Sequence, residues 1–327
     1  MQSYRPTNIK QHNQKFITRI LRNHAHPLTK SQLAKNTGLS VVTINKILPE
    51  MIENKEIIEL ETSVATGGRK ASVFQINETS HMMLLAQFLE SNGQIVISFI
   101  LANRLGHPLP ETKKIMTNIS IERFLQWIQD FQKEFATLDT LIIGITGVEI
   151  NGKLKIMDYL PFLDLNLKEQ LARTGITNIV IENDINAASL GFCEEKTDIL
   201  AGIYFPENFP PGASLIIDHT IFHGKNNLSG EIKHLPNQPY TYPLDTTKIS
   251  QAVTDALQTL ISVYDPEEII CFIPTKWATQ LNISETKEQL ATVFPYTSLP
   301  VITVTDVFEH HYQQGLIQLG LAVFDSM

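Results

Sequence analysis

Residues 180–191 read Val-Ile-Glu-Asn-Asp-Ile-Asn-Ala-Ala-Ser-Leu-Gly, and their order predicts a strand that stops where a helix starts. Val180 and Ile181 continue an apolar run from Asn178, so the chain is extended until it delivers Asn183 and Asp184 to the strand's C-terminal end. Ala187, Ala188, Ser189 and Gly191 then form a helix of small side chains. The same rhythm extends outward. Strand-like runs occur at 84–88, 94–101, 140–145, 213–217, 268–273 and 301–304, with amphipathic helical patterns at 119–134, 184–193, 247–264 and 309–324 between them. Such alternation predicts an α/β architecture with sheets covered by helices. No fixed-period repeat or low-complexity tract interrupts it.

The 327 residues, 43% hydrophobic, suffice for a sizeable core in two or three domains. The two cysteines, Cys193 and Cys271, are far apart and lack paired spacing. They therefore predict neither a disulfide framework nor a cysteine-rich zinc site, and a reducing cytoplasm fits them best. The opening residues lack the apolar core of a signal peptide, and no run of about 18 apolar residues predicts a membrane span. Charge is unevenly spread. Residues 1–77 hold eleven Lys and Arg against five Glu, leaving fifteen basic and twenty-nine acidic side chains for the rest. Any nucleic-acid contact is expected in the first quarter, because the remainder repels a phosphate backbone.

That quarter predicts a winged helix-turn-helix. A first helix spans about 9–23. Thr29 and Gln32 form a capping-box pattern for a second, which Gly38 stops; a third follows from Ser40, with Ile44, Ile47, Leu48 and Met51 on one apolar face. Runs at 57–61 and 72–76 predict a two-stranded wing whose tip carries Gly67, Gly68, Arg69 and Lys70. Pro49 within the third helix, and Lys55 where a terminating glycine is expected, are local departures. The candidate DNA contacts are Thr29, Ser40, Val41, Val42, Thr43, Asn45 and Lys46 on the helices, with Arg69 and Lys70 at the wing tip. Thr43, Asn45 and Lys46 suit base edges or phosphate, and Val41 and Val42 suit thymine methyls. For each, the alternative is plain exposure to solvent.

The 180–191 segment resembles the E-N-D-x-N-A-A-x-x-G motif of the ROK family of repressors and sugar kinases. Leu228-Ser229-Gly230-Glu231-Ile232-Lys233-His234 is similar to that family's G-x-x-G-E-[IFL]-G-H, with Lys233 in place of glycine. Softer likenesses are Gly144-Ile145-Thr146-Gly147 to G-[IV]-P-G, Asp265–Ile270 to D-P-E-x-I-V, and Gly67-Gly68-Arg69 to the repressors' wing. The resemblance implies an actin-like, hexokinase-like (ribonuclease H-like) duplicated α/β body behind the DNA-binding module. The implied domains are 1–77, 78–197 completed by a C-terminal helix at 309–327, and 198–308. It also implies a sugar or sugar-phosphate effector held by Asn183, Asp184, Glu231, His234 and Gly147. On the residues alone, Asn183 and Asp184 could equally be a helix N-terminus and nothing more.

Departures from the family pattern bear on activity. Kinases approach ATP phosphates with glycine-rich turns. The D-x-G-x-T turn is not recognisable near 89–94, G-T-G-x-G is replaced by Phe205-Pro206-Glu207-Asn208-Phe209-Pro210-Pro211-Gly212, and G-G-G by Phe272-Ile273-Pro274-Thr275. The zinc-binding cysteines after His234 are missing too, Phe162 replaces a sugar-binding Asn, and Phe192 stands where a Glu is usual. The expectation is a cytoplasmic transcriptional regulator with no catalytic residues, no cofactor and no metal. It would bind double-stranded operator DNA and a sugar effector, as a homodimer, without contacting a membrane. A sugar kinase fused to a DNA-binding module, and a ligand-free scaffold controlled by a protein partner, are the alternatives.

Overall fold

In the N-terminal module, helix boundaries follow from capping chemistry. The computed structural model describes residues 6–61, 72–194, 196–236 and 239–326. The module comprises α1 (Pro6–Arg22), β1 (Leu28–Thr29), α2 (Lys30–Thr37), α3 (Val41–Glu53), β2 (Ile57–Glu61) and β3 (Ser72–Ile76). Thr29 caps α2: its Oγ1 accepts from the Gln32 amide at 3.3 Å, and its own amide donates to Gln32 Oε1 at 2.8 Å. Gly38, at φ +70°, takes the left-handed conformation that ends α2, and Ser40 Oγ accepts from the Thr43 amide at 3.1 Å to start α3. Pro49 lies on the exposed side of α3 without ending it. The left-handed turn after this helix is made by Lys55, at φ +60°, so a non-glycine residue does what Gly38 does for α2. Ile17, Leu33, Ile44, Ile47, Leu48, Met51 and Phe74 close the core, and the strands form one sheet in the order β1-β3-β2. Gly67, Gly68, Arg69 and Lys70 lie outside the described residues.

The body is one chain path run twice. In the first half β4 (Met82–Ser91), β5 (Gln94–Asn103) and β6 (Pro108–Thr117) form an antiparallel meander. Next come α4 (Ile121–Glu134), β7 (Leu138–Ile145), the hairpin of β8 (Gly147–Ile150) and β9 (Lys153–Met157), α5 (Leu167–Ala172) and β10 (Asn178–Asn183). The sheet order is β10-β7-β4-β5-β6, with β7 parallel to both β4 and β10. After α6 (Asp184–Phe192), the second half repeats it. Strands β11 (Ile199–Tyr204), β12 (Gly212–Ile217) and β13 (Thr220–Ile221) form a meander. They are followed by α7 (Ile249–Tyr264), β14 (Glu268–Phe272), α8 (Thr275–Ala278), α9 (Ile283–Val293) and β15 (Val301–Thr305). Here the order is β13-β12-β11-β14-β15, again antiparallel in the meander and parallel beyond it. Identical order and direction in both sheets make the body a duplicated α/β unit.

Two tight hairpins depend on Asn-Gly. Asn92-Gly93 joins β4 to β5 and Asn151-Gly152 joins β8 to β9, each pair with both φ values positive, as a two-residue turn between twisted strands requires. Strand β6, which the sequence pattern does not predict, contains Pro108, Pro110, Lys113 and Lys114. It is the outermost strand of its sheet, where proline and lysine are tolerated and discourage edge pairing.

The last helix, α10 (Phe308–Ser326), packs with α6 in the apolar layer between the sheets, against Met83, Leu85 and Ile142 of the first and Ile270 and Phe272 of the second. Glycines set how closely these helices approach: a Cβ on Gly315 would overlap the Ala187 carbonyl, and one on Gly191 the His311 carbonyl. At its far end α10 meets the N-terminal module. Arg22 of α1 donates from Nη1 and Nη2 to the two carboxylate oxygens of Asp325, at 2.9 and 2.5 Å, and Lys15 Nζ donates to the Ser326 carbonyl at 2.8 Å.

Candidate functional site

A cavity of about 270 Å³ opens between the two halves of the body, on the side where β7 and β10 end. Its first wall is built from Thr146, Gly147, Asp158 and the turn from β10 into α6; its second carries His223, Ser229, Glu231 and Lys233. The strand-to-helix turn explains the roles of adjacent side chains. Asn183 is the α6 cap: its Oδ1 accepts from the Ile185 and Asn186 amides at 3.1 and 3.3 Å, and its Nδ2 donates to the Gly147 carbonyl at 3.1 Å. Gly147 is held this close because a Cβ there would strike the Ile156 carbonyl across the β8–β9 hairpin.

Asp184, one residue further on, is not the cap. It is 9% exposed, and its Oδ1 accepts from the Ile185 amide at 2.8 Å. Burial pushes its carboxyl up to about 8, against that hydrogen bond and with help from the Asp158 and Glu231 carboxylates. Asp158 is pushed up to about 6, again chiefly by burial, while Lys233 opposes the shift. Near neutral pH Asp184 therefore keeps its proton while Asp158 has largely lost its own, so the two can donate to and accept from ligand hydroxyls.

Glu182, buried at the end of β10, accepts from the Asn183 amide at 2.8 Å, Asn186 Nδ2 at 2.9 Å and His223 Nε2 at 2.7 Å. The last bond raises the His223 pKa from the ordinary imidazole value. Glu231 faces the cavity and pairs with Lys233 at 3.0 Å. His234 does not reach the cavity. The short 3-10 turn at Ile232–His234 puts Lys233 on the wall and leaves His234 exposed to solvent.

Of the five residues expected around an effector, the structure brings together Asn183, Asp184, Gly147 and Glu231, and turns His234 away. Thr146, Asp158, Glu182, His223 and Lys233 also line it, though none was expected as a ligand. Glu182 and Thr146 sit inside motifs already quoted, and Lys233 was visible as a departure. Asp158 and His223 reach the cavity only through long-range packing, which local spacing does not encode.

Two of the three places expected to carry phosphate loops are joined by a carboxylate. Glu90, at the end of β4, accepts from the Glu207 amide at 2.7 Å and from the Asn208 side-chain amide, tying the first expected loop to the second. Lys276 pairs with Glu207 on the same segment. A backbone N–H that could face a phosphate is thus already used. Among the described residues no group of three or more His, Cys, Asp or Glu is placed to hold a metal ion, and no helix is long and apolar enough to cross a membrane.

On the N-terminal module, α3 presents one exposed face. Val41 and Val42 are 45% and 64% exposed, beside exposed Ser40, Asn45 and Lys46 and a half-buried Thr43. Thr29 is half-buried in its capping box, so its hydroxyl serves the helix start. Arg69 and Lys70, expected at the wing tip, fall outside the described residues.

The chain matches no protein-family model. It is 24% identical over 240 residues to the DNA-binding transcriptional dual regulator NagC of Escherichia coli K12. That match covers 71% of this chain, which spans about three fifths (59%) of the relative's length. In structure it is similar to a ROK family transcriptional regulator, a homolog of the E. coli Mlc protein. The TM-score is 0.67 at 17% identity, covering 97% of this chain and 98% of the other. The body alone resembles the ROK hexokinase of Thermus thermophilus, with a TM-score of 0.55 at 14% identity over 75% of this chain and 99% of the enzyme. The resemblance to ROK regulators therefore holds in sequence and in fold, and the body has the hexokinase-like architecture.

Proposed function

We propose that the protein is a sequence-specific transcriptional regulator, a repressor of carbohydrate-utilisation genes, whose hexokinase-like body binds a sugar or sugar phosphate without turning it over. Residues 1–77 act as a winged helix-turn-helix. The body consists of 78–197, completed by the helix at 309–327, and 198–308; it dimerises, so that two α3 helices meet a two-fold operator in the cytoplasm. The observation that carries the reading is the exposed face of α3, where two valines lie beside Asn45 and Lys46 on a module with an excess of basic residues. An effector in the cavity would shift the population of DNA-competent states.

Catalysis is disfavoured in this reading by Glu90, which ties together the segments a nucleotide's phosphates would have to enter. The test is selection of bound duplexes from genomic DNA by the full chain, followed by titration of the selected site with sugars and with ATP. The repressor releases or tightens on DNA with sugar alone. A kinase needs both and forms a phosphorylated product, and a ligand-free scaffold responds to neither. Failure of the full chain to enrich any duplex over the Asn45→Ala/Lys46→Ala variant would overturn the DNA-binding reading.

A further inference from the structure

Resting on the sugar-site reading above, we infer that the effector is an unphosphorylated sugar, neutral or bearing a protonated amine, because the cavity keeps no cation free to receive a phosphate. Three basic side chains line it, and each is already engaged. Lys233 lies 3.0 Å from Glu231, Lys168 lies 3.6 Å from Glu149, and His223 lies 2.7 Å from Glu182. No arginine contributes to the lining. Against them stand Glu90 and Asp158, which also line the cavity and make no ion pair among the described residues, and Asp184, whose burial already resists negative charge. A phosphate entering here must break an existing ion pair and face uncompensated carboxylates.

The unengaged groups suit hydroxyls. Thr146 is 8% exposed and its Oγ1 is buried without a hydrogen-bond partner, as is Ser229 Oγ on the opposite wall. Asp184 Oδ2 takes no hydrogen bond among the described residues, although the side chain is nine-tenths buried. These groups can donate to and accept from a polyol, and leaving them unpaired is costly. The burial-driven rise of both Asp158 and Asp184 agrees with this: the site already resists its own negative charge and would resist more. Discrimination here comes from repulsion of the wrong ligand as much as from fit to the right one. At an effective dielectric constant of about 20, each uncompensated carboxylate within about 6 Å of a phosphate weakens binding by at least about tenfold.

The test uses the full-length protein and isothermal titration with D-glucose, D-xylose, N-acetyl-D-glucosamine and D-glucosamine, together with glucose 6-phosphate and N-acetylglucosamine 6-phosphate, at pH 7 and fixed ionic strength. At least one unphosphorylated sugar is expected to bind, with its 6-phosphate at least about tenfold weaker. D-glucosamine should bind no more weakly than D-glucose. A 6-phosphate that binds as tightly as its parent sugar, or more tightly, overturns the inference. The variant Asp158→Asn removes one carboxylate while keeping its shape, and Asp158 accepts no hydrogen bond among the described residues whose loss would unfold the site. It should narrow the ratio between sugar and sugar phosphate with a melting temperature at or above that of the wild type, and an unchanged ratio overturns the electrostatic cause. If no sugar or sugar phosphate binds while the protein still holds its DNA, the sugar-site reading itself fails and takes the inference with it.

Discussion

Replacing Asp184 with Asn should make the ligand-free protein more stable at and above neutral pH, although it alters a buried carboxyl of the cavity. In the folded chain this carboxyl is pushed up to about 8 by burial, against about 4 when unfolded. The folded state therefore binds the extra proton, so stability from this group is full below about pH 4 and is lost as pH rises towards about 8. Across that window the loss is about 1.4 kcal/mol per pH unit, which amounts at pH 7 to at most about 4 kcal/mol. Asp158 adds a smaller loss of the same sign, from about pH 4 to its raised value of about 6. Asn cannot ionise, and its Oδ1 can still accept from the Ile185 amide, so Asp184→Asn removes the penalty and keeps the hydrogen bond. The assay is urea unfolding followed by circular dichroism from pH 4.5 to 9 at constant ionic strength. The variant should exceed the wild type at pH 8, the gap closing towards pH 4.5. A variant less stable than wild type at pH 8, or a gap independent of pH, would show that Asp184 is ionised and compensated in the folded protein.

Other substitutions probe different parts of the fold. Gly315→Ala should destabilise the body by about 3 kcal/mol, because the new methyl meets the Ala187 backbone, which cannot rotate away; a loss below about 0.5 kcal/mol in urea unfolding would mean that α6 and α10 are not packed this closely. Asp325→Ala leaves the largely buried Arg22 guanidinium unpaired and should cost about 2 kcal/mol, with melting of the N-terminal module as the readout. A melting temperature unmoved in low salt would contradict the clamp. In DNA binding, Asn45→Ala should relax the preference at one base position, while Lys46→Ala should weaken all sequences alike and reduce the salt slope by about one; identical effects of the two would remove Asn45 from base recognition.

What the sequence disclosed depended on how local the determining physics was. The capping box at Thr29 and the stop at Gly38 appear as expected, because a cap is settled within four residues. Lys55 looked anomalous only because glycine is the usual left-handed residue; the chain takes the same turn with lysine. The Asn-Gly pairs at 92–93 and 151–152 are strong hairpin signals and were legible in principle. Strand β6 was hidden by two prolines that only an edge position permits, and β11 by Ala201 and Gly202 in the middle of an otherwise apolar run. In the cavity, the strand-to-helix turn placed Asn183 and Asp184, but their division of labour needed geometry. His234 was placed by its neighbours in sequence. The path of the 3-10 turn, a three-dimensional property, exchanged it for Lys233.

The crossing of α6 and α10 has a mechanical consequence. Phe308 at one end of α10 lines the cavity, Asp325 at the other grips Arg22 of the N-terminal module, and Gly315 is pressed against α6 between them. A helix pinned against another backbone resists sliding and can only tilt about the pinned point. From Gly315 the arm to Phe308 is about 10 Å and the arm to Asp325 about 15 Å, at 1.5 Å per residue. A tilt that displaces Phe308 by 1 Å would therefore carry Asp325, and the module it holds, about 1.5 Å the other way. In the proposed repressor, closure around a bound sugar would reach the N-terminal module as an amplified swing of one rigid rod, without any segment having to unfold.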